Sequence, residues 1–378
     1  MRVAYLWPSG EVRSNCYASA FAALDPPTTI AKSSNNGDLF VTEASLLLSA
    51  PDSVECFDPA RITEKMLDRL KAEFDVVFIR GANTLSNEVY AGILADFLEK
   101  IRMPVVCMGI GIQAPSKKRM PKGKDVLRLA HLLGDRSESV GVRGEVTAEF
   151  MNGLGVSNLR VIGCPSILRH NNPELRLKKP LWSELHSFGF SLTRYHSHLY
   201  QRDGTTFLKL QSRLIKELNR IGRVGVITQV EKEEKAFAYR YPAELRIAEE
   251  RLRSDGWFDN EMEEIYKTRS VFFGTRATDY DMHVRNFDVI YGTRLHANAM
   301  AVACGIPAIT FTFDLRVQEI YDFWRLPYLE VEAALELTPE AIYEGADFQP
   351  FNSRIGFIYH NFREYLESNR IPHRMQKS

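Results

Sequence analysis

The chain has 378 residues, with 48 Lys+Arg set against 48 Asp+Glu, 45% hydrophobic and 25% charged residues. Such values exclude a disordered, collagen-like or coiled-coil protein. Zero net charge excludes a protein built to neutralise a phosphate backbone, so no nucleic-acid partner is expected, although a local basic site is still allowed.

At roughly 150 residues per domain, the length corresponds to two or three domains. Arg2–Trp7 reads as a short strand followed by Pro8 and Gly10, without the pattern of a secretory signal. The longest clean apolar run, Val105–Ile112, is far short of a membrane span. Cys16, Cys56, Cys107, Cys164 and Cys304 are scattered, with no Cys-x-x-Cys pair. Cys107, Cys164 and Cys304 sit among apolar residues and read as small core side chains. A reducing, cytoplasmic location is the expectation.

In chain order, Leu39–Ser49 reads as a helix, Phe74–Arg80 as a buried strand and Asn87–Ile101 as a helix. Pro104–Ile112 is a buried strand ending in glycines. Ser139–Arg143 is a short strand, Glu145–Leu154 a helix and Leu159–Ile162 a strand. Polar, proline-containing residues 170–181 read as a linker. Beyond it the alternation resumes: strand Phe188–Thr193, helix Phe207–Ile221, strand Val224–Gln229 and helix Ala243–Arg253. A strand within Val284–Tyr291, helix His296–Cys304 and strand Ala308–Phe313 follow, and 354–369 forms an aromatic-rich helical tail. This alternation predicts an α/β protein with parallel sheets. The division is 1–172, 173–345 and a tail, 346–378, with a ligand in the cleft between the two large halves at the strands' carboxyl ends.

Four segments carry the candidate chemistry. In Asp288–Pro307 a buried strand ends at Gly292, and a turn sets Arg294 beside a helix opening near His296. Small residues let that helix pack closely on the sheet, and Gly305 and Pro307 end it. Free N–H groups, the helix dipole and two cationic side chains at one point make a phosphate or carboxylate site. In Ser139–Gly155 a second arginine, Arg143, again stands at a strand end ahead of a helix; pairing with Glu145 at the surface is the bland alternative. Asn35-Asn36-Gly37-Asp38 precedes the first long helix, where Asn36 or Asp38 can serve as cap. Met108–Gln113 holds Gly109 and Gly111 at a strand end, where a ligand can approach the backbone.

These four segments, in this order, resemble the polysaccharide pyruvyl transferase family. The resemblance spans roughly residues 1–330 and is most specific at Arg294-Leu295-His296 with Gly305-Ile306-Pro307. It implies two Rossmann-like domains facing across a cleft, similar to the GT-B glycosyltransferases. It also implies transfer of pyruvate from phosphoenolpyruvate to a sugar of a cell-surface polysaccharide or its lipid-linked precursor, with no cofactor beyond that co-substrate. The first domain would serve the acceptor and the second the donor. Catalytic roles then fall to His296, Arg294 and Arg143. Substrate-binding roles fall to Asn36, Gly37, Asp38, Gly109, Gly111, Gln113 and Leu295. Thr193, Arg194 and Gln229, at strand ends of the second half, are further candidates. Three departures stand out: Gly144 where the family often has Asp, Arg80-Gly-Ala-Asn where a run of glycines is usual, and Asp314-Leu-Arg316 where Asp-x-Lys is common.

His296 is the best general acid in the chain, and Asp38 the least poor base. Asp279-Tyr280-Asp281 reads as a solvated loop rather than a metal-binding Asp-x-Asp. His196-Ser-His198 lacks a third ligand at suitable spacing, so no metal is expected. Lys117–Lys124 holds five basic residues; it reads as a solvated loop or, at the cleft rim, as a contact for anionic lipid or a lipid-linked diphosphate at the inner face of the membrane. Two rivals remain: a GT-B glycosyltransferase with a nucleotide-sugar donor, and a non-catalytic scaffold of polysaccharide assembly.

Overall fold

The computed structural model describes residues 1–6, 30, 36–85, 88–112, 114, 116–194 and 204–376. Cys16, Asn35, Gln113 and the His196–His198 pair lie outside the described residues. The first half runs β1 (Arg2–Leu6), α1 (Asn36–Ser49), β2 (Ser53–Phe57), α2 (Glu64–Glu73), β3 (Val76–Arg80), α3 (Glu88–Ile101), β4 (Val105–Met108), α4 (Lys124–Arg136), β5 (Val140–Val142), α5 (Glu145–Gly153) and β6 (Leu159–Val161). Its parallel sheet has the order β2-β1-β3-β4, and a parallel bridge from Ile110 to Val142 carries it on to the β5-β6 pair.

The second half runs β7 (Ser187–Ser191), α6 (Gly204–Ile221), β8 (Arg223–Ile227), α7 (Lys232–Tyr239), α8 (Pro242–Ser254), α9 (Asn260–Thr268), β9 (Ser270–Phe272), α10 (Ala277–Val284), β10 (Val289–Gly292), α11 (Leu295–Ala303), β11 (Ala308–Thr312), α12 (Leu315–Trp324), β12 (Tyr328–Glu330), α13 (Val331–Ala334), α14 (Pro339–Gly345) and α15 (Gln349–Ser368). Its six-stranded parallel sheet has the order β12-β11-β10-β7-β8-β9.

Strand alternation explains the layering. On β1, Val3 and Tyr5 enter one core while Ala4 and Leu6 enter another; β3 divides Val76 and Phe78 from Val77 and Ile79 in the same way. Both faces of a parallel sheet must be covered, so these strands read as unbroken apolar runs. One of the two cores continues into the second half through α1, where the Phe40 and Tyr280 rings meet edge to face at 4.7 Å.

The expected C-terminal helical tail is α15, which returns to the first half, where the Tyr365 hydroxyl bonds both the N–H and the carbonyl of Cys107 on β4. Two expectations are corrected. Asp279-Tyr280-Asp281 lies in α10 with Tyr280 fully buried, because Tyr280 faces the core shared with Phe40 and Phe272. Lys117–Arg119 forms one 3-10 turn and Lys124 opens α4, so the basic run is partly structured, with Lys117 3.0 Å from Glu149.

Candidate functional site

The carboxyl ends of β3, β4, β5 and β6 point at the N-terminal ends of α11 and α12 from the other half. A cavity of about 270 Å³ lies between them, walled by Asp38, Arg80, Asn83, Thr84, Tyr90, Gly109, Arg143, Cys164, Leu295, His296, Arg316 and Ile320. Arg80 ends β3, Arg143 follows β5, and Arg316 lies in the first turn of α12. Three guanidinium groups therefore enter one small cavity from three elements and both halves.

Each cation is braced. Asp38 sits 3.1 Å from Arg80 Nη2. Arg143 donates from Nη1 to Asn83 Oδ1 at 2.7 Å. Arg316 Nε is 3.5 Å from Asp314, which also caps α12 through the Val317 N–H. Burial brings Arg143 down to about 10, with Arg316 adding to the depression and Glu319 opposing it. Two glycines make room: a Cβ on Gly111 would fall 2.2 Å from Arg143 Nε. One on Gly109, at φ +86°, would meet the Gly163 carbonyl at 2.3 Å.

His296 sits one residue into α11. Burial first, then Arg316, Arg143, Arg80 and Arg294, push its imidazole down to about 3. The ring is neutral without an anion, and the same cations that depress it would be offset by a bound polyanion. Cys164 Sγ lies 3.8 Å from His296 Nε2 and 3.2 Å from Ser166 Oγ, and burial raises the thiol. The protonated thiol can donate to the neutral ring.

One contact joins the halves at the mouth of α5. Glu319, on α12, accepts from the Thr147 N–H and the Thr147 hydroxyl, both at 2.9 Å. Gly144 is the N-cap of α5, and a Cβ there would fall 2.6 Å from Glu319 Cβ. The carboxylate expected from an Asp at this cap is thus supplied by the other half. Burial lifts Glu319 to about 7 against the pull of Arg143 and Thr147.

The structure divides the predicted site residues into three groups. Asp38, Gly109, Arg143, Leu295 and His296 wall the cavity, and Gly111 packs on Arg143. The second group gathers around buried carboxylates of the second half. Arg294 pairs with Glu231 and donates from Nε to the Leu192 carbonyl. Arg194 is held by Glu233, Glu234 and Asp255. Thr193 exchanges hydrogen bonds with Gln211, and the Gln229 N–H donates to Glu231. Burial works to raise Glu231, yet Arg294 and Thr228 outweigh it and bring the carboxyl to about 2. Asn36 reaches across to the Gly274 carbonyl and the Tyr280 hydroxyl, and Gly37 lies within the first turn of α1. Asn36 thus ties α1 to the second half. The cavity draws its walls from both halves. Sequence reading missed Arg80, Arg316, Tyr90 and Asn83 as wall residues. The only signal for the two arginines was their position at departures from a familiar pattern.

A sequence model for polysaccharide pyruvyl transferase matches residues 38–314, well over half the chain. The chain belongs to the polysaccharide pyruvyl transferase family. The match begins at Asp38 and ends at Asp314, so it contains every cavity-wall residue except Arg316 and Ile320. The curated proteins searched contain no match. Among solved structures, UDP-GlcNAc 2-epimerase from Methanocaldococcus jannaschii, bound to UDP-GlcNAc and UDP, is 10% identical over 96% of this chain and 100% of that one, with a TM-score of 0.49. The Rickettsia bellii UDP-N-acetylglucosamine 2-epimerase is 14% identical over 97% and 96%, with a TM-score of 0.48. Anabaena Alr3699/HepE with UDP and glucose is 12% identical over 97% and 100%, with a TM-score of 0.46. Among the described residues, no helix is long and apolar enough to cross a membrane.

Proposed function

We propose that this transferase takes phosphoenolpyruvate as donor, sets pyruvate as a ketal on two hydroxyls of a glycan, and releases phosphate. The observation that carries the reading is the convergence of Arg80, Arg143 and Arg316 with His296 in one cavity of about 270 Å³. A compact trianion with a carboxylate and a phosphate matches three guanidinium forks, because planar bidentate donors suit both groups. Among the described residues the cavity presents three guanidinium groups, which favours a compact polyanion over the base of a nucleotide sugar.

Donor charge offsets the arginines, so His296 takes up a proton when the donor binds. His296 then delivers that proton to the methylene carbon, leaving an oxocarbenium-like centre on the neighbouring carbon. One sugar hydroxyl adds to that carbon and loses its proton. The carbon–oxygen bond to phosphate breaks, and the second hydroxyl adds and loses its proton to close the ketal. Asp38, a carboxylate of the described wall, accepts a hydroxyl proton in this reading. Arg294, held on Glu231 at the start of α11, positions Leu295 and His296. The acceptor is a glycan, in lipid-linked form if Lys118 and Arg119 meet a diphosphate or anionic headgroups at the membrane face.

The test is phosphate release from phosphoenolpyruvate with a galactoside or mannosamine-type acceptor, using wild type, His296→Ala and Arg316→Ala. Thermal stabilisation by phosphoenolpyruvate but not by a nucleotide-diphosphate sugar is expected. Wild-type rates in both variants, or stabilisation by the nucleotide sugar alone, would reject the reading.

A further inference from the structure

We propose that His170, Asp281 and Cys304 form a binding site for a zinc-like divalent cation, away from the transfer cavity. The three residues come from separate elements: the chain leaving the first half, the last turn of α10 and the C-cap of α11. Their donor atoms form a nearly equilateral triangle. Cys304 Sγ is 3.6 Å from His170 Nε2 and 3.4 Å from Asp281 Oδ1, and His170 Nε2 is 3.4 Å from the same oxygen.

That triangle has the dimensions of a tetrahedral face. Zinc bonds of about 2.3 Å to sulfur and about 2.0–2.1 Å to nitrogen and oxygen, at tetrahedral angles, place sulfur about 3.5 Å from either partner and nitrogen about 3.4 Å from oxygen. A thiolate, an imidazole and a carboxylate are the mixed set a borderline-soft ion prefers. His170 is exposed while Asp281 is nearly covered, so the fourth position faces solvent and takes water.

The surroundings support the ion. Arg169 Nη1 lies 3.1–3.2 Å from the two Asp281 oxygens and Nη2 lies 3.2 Å from Glu43 Oε1. This orients the carboxylate from behind, as outer partners of metal ligands do. Charge also balances: two carboxylates and a thiolate face one guanidinium and one divalent ion. Because Arg169 and His170 are adjacent and Glu43 lies on α1, a bound ion would fasten the crossing between the halves to α10 and α11.

The test uses the full chain, stripped with a chelator and titrated with zinc against a chromophoric competitor, then repeated with cobalt. One equivalent should bind, and cobalt should show the thiolate charge-transfer band and the intense visible bands of a tetrahedral site. Cys304→Ala and His170→Ala should each weaken zinc binding by at least about 100-fold. His170 is exposed, so its variant should keep the wild-type circular dichroism and refute any attribution to misfolding. Absence of uptake by the wild type overturns the proposal. So does undiminished uptake by the Cys304→Ala/His170→Ala double variant, which would place the ion elsewhere.

Discussion

Glu319 and His296 should make opposing contributions to stability, and each can be exposed by removing the other. The folded Glu319 carboxyl is raised from an ordinary 4.5 to about 7, chiefly by burial. It binds a proton more readily folded than unfolded, so its contribution is complete below 4.5 and gone above about 7. The folded His296 ring is depressed from 6.5 to about 3, again chiefly by burial. As pH falls below 6.5 the unfolded ring takes up a proton that the folded ring refuses, and stability drops toward acid. Each proton is worth about 1.4 kcal/mol per pH unit, so each group moves stability by roughly 3 kcal/mol between about pH 4 and pH 8. The directions are opposite. Between 4.5 and 6.5 the two slopes cancel in the wild type.

Urea unfolding of wild type, Glu319→Gln and His296→Gln across that range gives the assay. Gln at position 319 keeps a carbonyl for the Thr147 N–H while removing the titration. Relative to wild type, Glu319→Gln should gain roughly 3 kcal/mol as pH rises from about 4 to 8, and His296→Gln should lose the same amount. Working with differences removes the shared terms from the other shifted groups, such as Glu43, Glu231 and His283. Two flat difference curves would refute the reasoning, because they would mean that neither group is perturbed by its surroundings.

Donor binding should be accompanied by uptake of close to one proton at neutral pH, read by calorimetry in buffers of different ionisation enthalpy; no uptake in the wild type, or equal uptake in His296→Gln, would remove that ring as the acid. Replacing Arg80 or Arg316 by Ala should weaken phosphoenolpyruvate binding by about 10–100-fold, from roughly 1.5–3 kcal/mol per charged hydrogen-bonding group. Arg294→Ala should strand the buried Glu231 carboxylate and cost about 3–5 kcal/mol of stability, with donor affinity of the folded protein changing little. Gly144→Asp should overpack against Glu319 and cost about 1–3 kcal/mol, and Glu319→Ala on that background should restore much of the loss, which a double-mutant cycle would measure.

The fold was legible where one local rule dominated. Buried parallel strands such as Val76–Arg80 and Val105–Met108 announce themselves as unbroken apolar runs between helical stretches. β2 (Ser53–Phe57) was missed: it lies at the sheet edge, and only its last two residues are buried. The helices α7 and α9 were missed because charged residues dominate their sequences, and their few buried residues face neighbours that no local window contains. α15 was found, but its return to β4 was not, because the partner of Tyr365 is a backbone group more than two hundred residues away.

The site divides along the same line. Arg143 and His296 were legible because each stands where a strand hands over to a helix, a local pattern with a local consequence. Arg294 was legible as a cation but not as one already committed to Glu231, since that pairing depends on two loops of a six-stranded sheet meeting. Gly144 shows why pattern alone falls short. Read along the chain it is a lost carboxylate at a helix cap beside the key arginine. In three dimensions the carboxylate is present, carried on Glu319 and admitted because Gly144 has no side chain. The exchange moves a charge that would otherwise belong to one half into the contact between both. It follows that Arg143 acquires its full electrostatic surroundings only when the halves are closed on each other, so any motion that parts them also removes the carboxylate opposing the depression of that arginine.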